Sequence, residues 1–141
     1  MFSKSCKYGI RAVLYLAIHT KEGEKKGVKE IAEVLHIPQH FLAKILQELS
    51  RQGFVSSIKG PHGGFYLSEE NLEQPLLNII EAIDGKEALT SCILGLPVCS
   101  SEHPCPLHSK SVKYRNGLLE LVGEQSIKDL AINIELKNLT L

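Results

Sequence analysis

The chain has 141 residues, enough for one domain with a real core and too few for two large independent ones. Hydrophobic residues make up 43% and charged residues 23%, with no tryptophan, which excludes a disordered or collagenous chain. The formal net charge of zero conceals a gradient: residues 1–67 carry ten Lys and Arg against five Glu, a formal +5, and residues 68–141 carry the compensating −5, so the N-terminal half can still meet an anionic partner such as nucleic acid.

A first helix is expected from about residue 3 to 19, because Ile10, Val13, Leu14, Ala17 and Ile18 recur on one helical face. Its apolar stretch is too short for a membrane span, and no small-residue cleavage site follows it, so neither a span nor a signal peptide is expected and a cytoplasmic location is the default. After a polar turn over residues 21–27, a short second helix spans 29–35 and presents Ile31, Ala32 and Leu35 to the core. His36, Ile37 and Pro38 interrupt it, since proline starts helices well and continues them badly. A third helix then covers 39–52 with Leu42, Ile45, Leu46 and Leu49 inward, and Gly53 stops it. Two short helices around a three-residue break have the spacing of a helix-turn-helix. Two short β runs, 54–58 and 65–67, flank the flexible turn Lys59-Gly60-Pro61-His62-Gly63-Gly64 and predict a hairpin, the wing of a winged helix-turn-helix.

Residues 69–74 are expected as an acidic polar link. Pro75 starts an apolar helix through Leu76, Leu77, Ile79, Ile80 and Ile83 that ends at Asp84 and Gly85. Residues 90–104, with their Pro, Gly and Ser, are expected as a loop. From 106 to 122, Leu107, Ser111, Tyr114, Leu118 and Leu121 alternate by four and three, the spacing of a coiled-coil seam, and Leu119 and Val122 widen the stripe. A chain this small gains by burying such a stripe against a second copy, so a homodimer is expected with Leu107, Tyr114, Leu118, Leu121 and Val122 as dimerisation residues. Ser126 followed by Asp129 three residues later signals the start of a last helix. The fold class is therefore mainly α with a small β-hairpin, a winged helix-turn-helix plus a C-terminal dimerisation helix.

Three of the four cysteines cluster. Cys92, Cys99, Cys105 and His108 place three thiols and one imidazole within one short stretch, and soft thiolates suit zinc or iron-sulfur iron. The spacing lacks the paired Cys-x2-Cys knuckles of common zinc sites, and a zinc site or a thiol/disulfide switch stays open beside an iron-sulfur cluster. Cys6 stands alone and is expected as a buried thiol. No enzyme site emerges: the glycine turn lacks the Lys-Ser/Thr ending of a phosphate-binding loop, and no catalytic triad or carboxylate pair can be assigned. A small cysteine-dependent redox enzyme or carrier is the alternative of a different class.

Longer runs carry a resemblance. Tyr8-Gly9-Ile10-Arg11-Ala12-Val13-Leu14-Tyr15-Leu16-Ala17, Ile31-Ala32-Glu33, Ile37-Pro38-Gln39-His40-Phe41-Leu42-Ala43-Lys44-Ile45-Leu46, and Gly53-Phe54-Val55 leading to the glycine turn and Phe65 resemble the winged-helix transcriptional regulators of the family that includes IscR, NsrR and CymR, over nearly the whole chain. The resemblance implies a homodimer on a double-stranded DNA operator of pseudo-two-fold symmetry, the third helix in the major groove and the wing at a minor groove. It assigns Gln39, His40 and Lys44 to base edges or adjacent phosphates, Arg51, Lys59 and His62 with Gly63 and Gly64 to phosphate or wing contacts, and Ser3 and Lys4 to the DNA backbone. Cys92, Cys99 and Cys105 look like the cluster-binding cysteines of the IscR and NsrR branches, and His108 resembles the additional ligand of the IscR-like branch, for a 2Fe-2S or 4Fe-4S cluster. The gap between the first two cysteines is one residue longer than the commonest pattern, and Lys7 stands where some nitric-oxide sensors carry an acidic ligand. The implied organisation is a DNA-binding region over 1–84, a cysteine-containing sensor loop over 85–104 and dimerisation and C-terminal helices over 105–141. The implied function is transcription control answering to iron-sulfur status, nitric oxide or redox stress.

Overall fold

A computed structural model describes residues 2–141. Helix α1 (Lys4–His19) runs through the middle of the fold. Its start is set by Ser3, whose hydroxyl accepts the Cys6 N–H at 3.0 Å and so satisfies one of the unpaired donors of the first turn. Helices α2 (Val28–Leu35) and α3 (Gln39–Arg51) follow. Between them His36 adopts a left-handed conformation at φ 55°, Ile37 is buried and Pro38 precedes the first turn of α3. This tight break carries the chain from one helix into the next at an angle.

Strands β1 (Ser56–Ile58) and β2 (Gly64–Tyr66) form an antiparallel hairpin in the register Ser56 to Tyr66, Ser57 to Phe65 and Ile58 to Gly64. They are shorter than the β runs of the sequence suggest, because Phe54 and Val55 are used in the turn out of α3, where both N–H groups bond the Leu49 carbonyl. The hairpin is pinned to the body by a second pairing: Lys26 and Phe65 exchange N–H···O bonds of 2.9 and 2.8 Å. Gly64, at φ 152°, passes so close to Lys26 that a β-carbon would lie 2.9 Å from the Lys26 carbonyl oxygen.

Residues 69–73, expected as part of an irregular link, instead form the short helix α4 (Glu69–Glu73). The reason is local: Ser68 and Asn71 make a reciprocal capping box, the Ser68 hydroxyl accepting the Asn71 N–H at 3.1 Å and the Asn71 side-chain oxygen accepting the Ser68 N–H at 3.0 Å. Asn71 also donates to the Gly53 carbonyl at 3.1 Å and accepts the Ser56 hydroxyl at 2.7 Å, which ties α4 to the junction of α3 and the hairpin. Helix α5 (Leu76–Asp84) ends at Gly85, and a single 3-10 turn (Lys86–Leu89) leads into a segment without helix or strand. Helices α6 (His108–Glu124) and α7 (Ile127–Leu136) complete the chain, the latter capped by Ser126 through a 3.1 Å bond from the Asp129 N–H.

Two apolar clusters hold these elements. The larger joins Ala12, Val13 and Leu16 of α1 to Ile31 and Leu35 of α2, Leu42, Leu46 and Leu49 of α3, Ile79 of α5 and Ile127 of α7. The smaller joins Cys6 of α1, Ile80 of α5, Leu89 of the 3-10 turn and Val122 of α6. Ile10 touches both. Among the described residues no helix is long and apolar enough to cross a membrane.

Leu46 is fully buried on the inner face of α3, so replacing it removes packing and leaves a cavity. Leu46→Ala is expected to cost roughly 2–5 kcal/mol of stability, read from urea unfolding followed by far-ultraviolet circular dichroism.

Candidate nucleic-acid face and metal centre

The outer face of α3 is the first candidate surface. Gln39, His40 and Lys44 are all exposed on its first two turns. Gln47 continues the same stripe, three residues beyond Lys44 and seven beyond His40; sequence reasoning passed over it, although the helical period that buries Leu42, Leu46 and Leu49 also places Gln47 outside. Phe41 stays partly exposed and meets the Tyr8 ring edge-on at 6.2 Å, while His40 meets Phe41 at 6.1 Å. The Lys4 ammonium stands 5.7 Å from the centroid of Tyr8. These contacts bring the start of α1 beside the start of α3.

Other expected contacts are already engaged within the chain. Ser3, expected to meet a DNA backbone, is exposed and also bonded to the cap of α1 and to Asp84: its N–H donates to Asp84 Oδ2 at 3.0 Å and its hydroxyl donates to Oδ1. Arg51 is exposed, but its Nε donates to Glu48 Oε2 at 2.9 Å and its Nη2 to Oε1. Those bonds, with one from Gln52, hold the Glu48 carboxyl below its ordinary range, so a phosphate at Arg51 must compete with a carboxylate. Lys59 and His62 are exposed at the hairpin turn. Gly63 beside them has a steric reason to be there, since a β-carbon would collide with the Ile58 carbonyl as the chain reverses. Ser50 and Ser57 share a 2.9 Å hydrogen bond that joins the last turn of α3 to the hairpin, and a cleft of about 440 Å³ opens beside it, lined by Gln47, Arg51, Lys59 and Phe65.

The second candidate is the cysteine site. The Sγ atoms of Cys92, Cys99 and Cys105 lie within 4.8 Å of one another, although twelve residues of irregular chain separate the first from the last. Cys92 Sγ and Cys105 Sγ are 3.7 Å apart. His108, the first residue of α6, places Nδ1 3.3 Å from Cys99 Sγ. All three thiols are half-buried. Backbone hydrogen bonding from Leu96, joined by that from Leu94 and by the neighbouring thiols, draws Cys92 down to about 7, against the opposing effect of partial burial. Backbone hydrogen bonding from Cys105 favours the Cys99 thiolate, but desolvation and the two nearby thiols outweigh it and raise that group. Three convergent soft donors and an imidazole within reach fit a thiolate-held metal ion or iron-sulfur cluster.

Cys6 is a thiol of another kind. It is fully buried in the smaller core, and burial, followed by the charge of Asp84 and a hydrogen bond to it, pushes the group up to about 12.

Helix α6 divides its side chains between two faces. Leu107 just before it and Tyr114 and Leu121 along it are 43%, 56% and 58% exposed and line one side at heptad spacing. His108, Ser111, Arg115 and Val122 line the other and turn toward the chain. Leu118 lies between the two and packs partly on the smaller core. Val122, expected to face a second copy, is 3% exposed and is used to hold α6 to α1 and α5.

Residues 2–133 match the Rrf2 family, described as iron-dependent transcriptional regulators. A candidate HTH-type transcriptional regulator of Aquifex aeolicus is 38% identical over 99% of this chain and 96% of its own length. The HTH-type transcriptional regulator NsrR of Shouchella clausii is 27% identical over 89% of this chain and 85% of its own. Among solved structures, that of CymR, the global cysteine regulator of B. subtilis, superposes with a TM-score of 0.75 at 24% identity, covering 94% of this chain and 97% of that one, a likeness of fold.

The two classes of cysteine should separate chemically, because the thiolate is the reactive form. At pH 8 a group near 12 is ionised in only about one molecule in ten thousand, so iodoacetamide is expected to modify the three loop cysteines of the metal-free folded protein and to spare Cys6. Peptide mapping by mass spectrometry reads the pattern, and denaturant should abolish the protection of Cys6.

Proposed function

Because the chain belongs to the Rrf2 family of transcriptional regulators, we propose that it is a homodimeric, operator-binding regulator whose DNA affinity depends on an iron-sulfur cluster held by Cys92, Cys99, Cys105 and His108. The observation that carries the sensor half of this reading is the convergence of three thiols to within 4.8 Å from a loop that has no regular structure of its own. When bound, the cluster supplies an iron centre whose state answers to iron-sulfur supply, nitric oxide or oxidants. The chain's own residues do the rest. The three cysteines bind, His108 couples the site to the first turn of α6, and loop order reaches the DNA-binding elements through the smaller core, in which α1, α5 and α6 meet. A cysteine-dependent redox enzyme or carrier is set aside by membership of a family of regulators.

On the DNA side, the exposed stripe of His40, Lys44 and Gln47 supports insertion of α3 into a major groove, with Gln39 and Lys4 at its flank and Lys59 and His62 reaching from the hairpin to phosphates. Leu107, Tyr114 and Leu121, with Leu118 at the edge, form the proposed seam between two copies. Two equivalent heads would then meet operator half-sites about one DNA turn apart.

Anaerobic preparation, with iron, zinc and acid-labile sulfide measured per chain alongside the visible spectrum, tests the cofactor. Stoichiometric iron and sulfide are expected; zinc, or no metal after reconstitution, would transfer the reading to a zinc site or a thiol switch such as Cys92 with Cys105. On an operator selected from genomic fragments, Lys59→Ala should weaken binding to all sequences and reduce the slope of log affinity against log salt by about 1. His40→Ala should relax discrimination at one base-pair position by about 1–3 kcal/mol. Leu121→Glu should convert the dimer to a monomer by light scattering, and a variant that stays dimeric with wild-type affinity would refute the seam.

A further inference from the structure

The segment from 90 to 107 contains no helix or strand, yet its cysteines converge, so contacts from outside it must set the direction in which it begins. At its far end the constraint is plain: the His108 N–H bonds the Cys105 carbonyl at 3.0 Å, and its ring stands beside Cys99. At its near end the N–H groups of Thr90 and Ser91 both bond the Glu87 carbonyl, at 3.1 and 2.9 Å, closing the 3-10 turn. The carbonyls of the same two residues point the other way. They are taken by Arg115, whose Nη1 donates to Ser91 at 2.7 Å and also to Thr90.

Arg115 is half-buried on α6, seven residues after His108 and therefore on the same side of the helix. A guanidinium is well matched to two such acceptors, because it is planar, stays charged and presents several donors in fixed directions, so one side chain can hold two successive peptide groups. Both carbonyls lie immediately before Cys92, leaving little freedom between the clamp and the first thiol. We propose that Arg115 is a positioning residue of the cysteine site, fixing Cys92 against Cys99, Cys105 and His108 by fastening the start of the loop to the helix that carries its end. The inference rests on the reading that these side chains hold a cluster. It makes α6 the frame of the metal site at both ends, with Tyr114 and Leu121 on its outer side.

Two measurements on the full chain test it, in Arg115→Ala, in Arg115→Lys, which keeps the charge with a single donor centre, and in Lys113→Ala, an exposed control on the same helix. In the cluster-free protein, amide hydrogen exchange over residues 90–99 should accelerate about tenfold in Arg115→Ala, the scale of one charge-assisted hydrogen bond, while α3 is unchanged. After anaerobic reconstitution, the visible absorption of Arg115→Ala should decay about tenfold faster than wild type under an iron chelator, with Arg115→Lys between and Lys113→Ala at the wild-type rate. Unchanged exchange over 90–99 overturns the clamp; faster exchange with a wild-type cluster lifetime overturns the positioning role. If wild-type protein takes up no iron and sulfide, the cluster reading fails by itself, and the exchange measurement still decides whether Arg115 holds the loop.

Discussion

The burial of α1 from two directions is the constraint on which the rest of the chain depends. One stretch of this helix, from Ala12 to Ala17, is packed so thoroughly that even Tyr15 is nearly enclosed, and it anchors α2, α3 and α7. Its first turn enters a different cluster, where Cys6 meets α5 and α6. A helix shared by two cores cannot shift in one without disturbing packing in the other, because interiors at crystal-like density do not deform continuously. The Ser3 bonds to Asp84 reinforce this, since they lock the start of α1 to the last residue of α5.

The cysteine site obeys a different logic. Chain without helix or strand has few internal bonds to offset the entropy lost on ordering it, and holding three thiols together in such a segment is unfavourable unless something closes it. A thiolate-bound metal would provide that closure, and its binding energy would become ordering energy for the loop. Oxidation of Cys92 and Cys105, whose sulfurs lie 3.7 Å apart, would close a smaller loop by another means.

Helix α6 then has two uses for its adjoining faces. Inward, Val122 docks it to α1 and α5, Ser111 is buried, and His108 and Arg115 engage the cysteine segment. Outward, Leu107, Tyr114 and Leu121 remain on the surface. A change in loop order is therefore felt by the same rigid element that carries the proposed seam, which is what a two-state regulator needs from its geometry.

Much of this was legible in the residues. Apolar periods located α1, α2, α3 and α5 to within a residue or two, the Ser126 cap marked the start of α7, the glycine turn marked the hairpin, and the spacing of three cysteines marked the candidate metal site, because these signals are local. The helix over 69–73 escaped because its polar residues carry no apolar period; a Ser68 and Asn71 capping box makes it. The stripe on α6 was visible as a stripe, but not which of its members turn inward: Val122 and Leu121 are neighbours in sequence with opposite fates, decided by where Cys6, Ile80 and Leu89 leave room. Tertiary structure brings Asp84 to Ser3, while Glu48, three residues earlier on the same helix, meets Arg51. Arg115 could not be read at all, since a charged residue on an amphipathic helix announces nothing until folding places two carbonyls beside it. Periodicity and spacing determine which elements form and which chemistries are present; only packing decides which side chains remain available to use them.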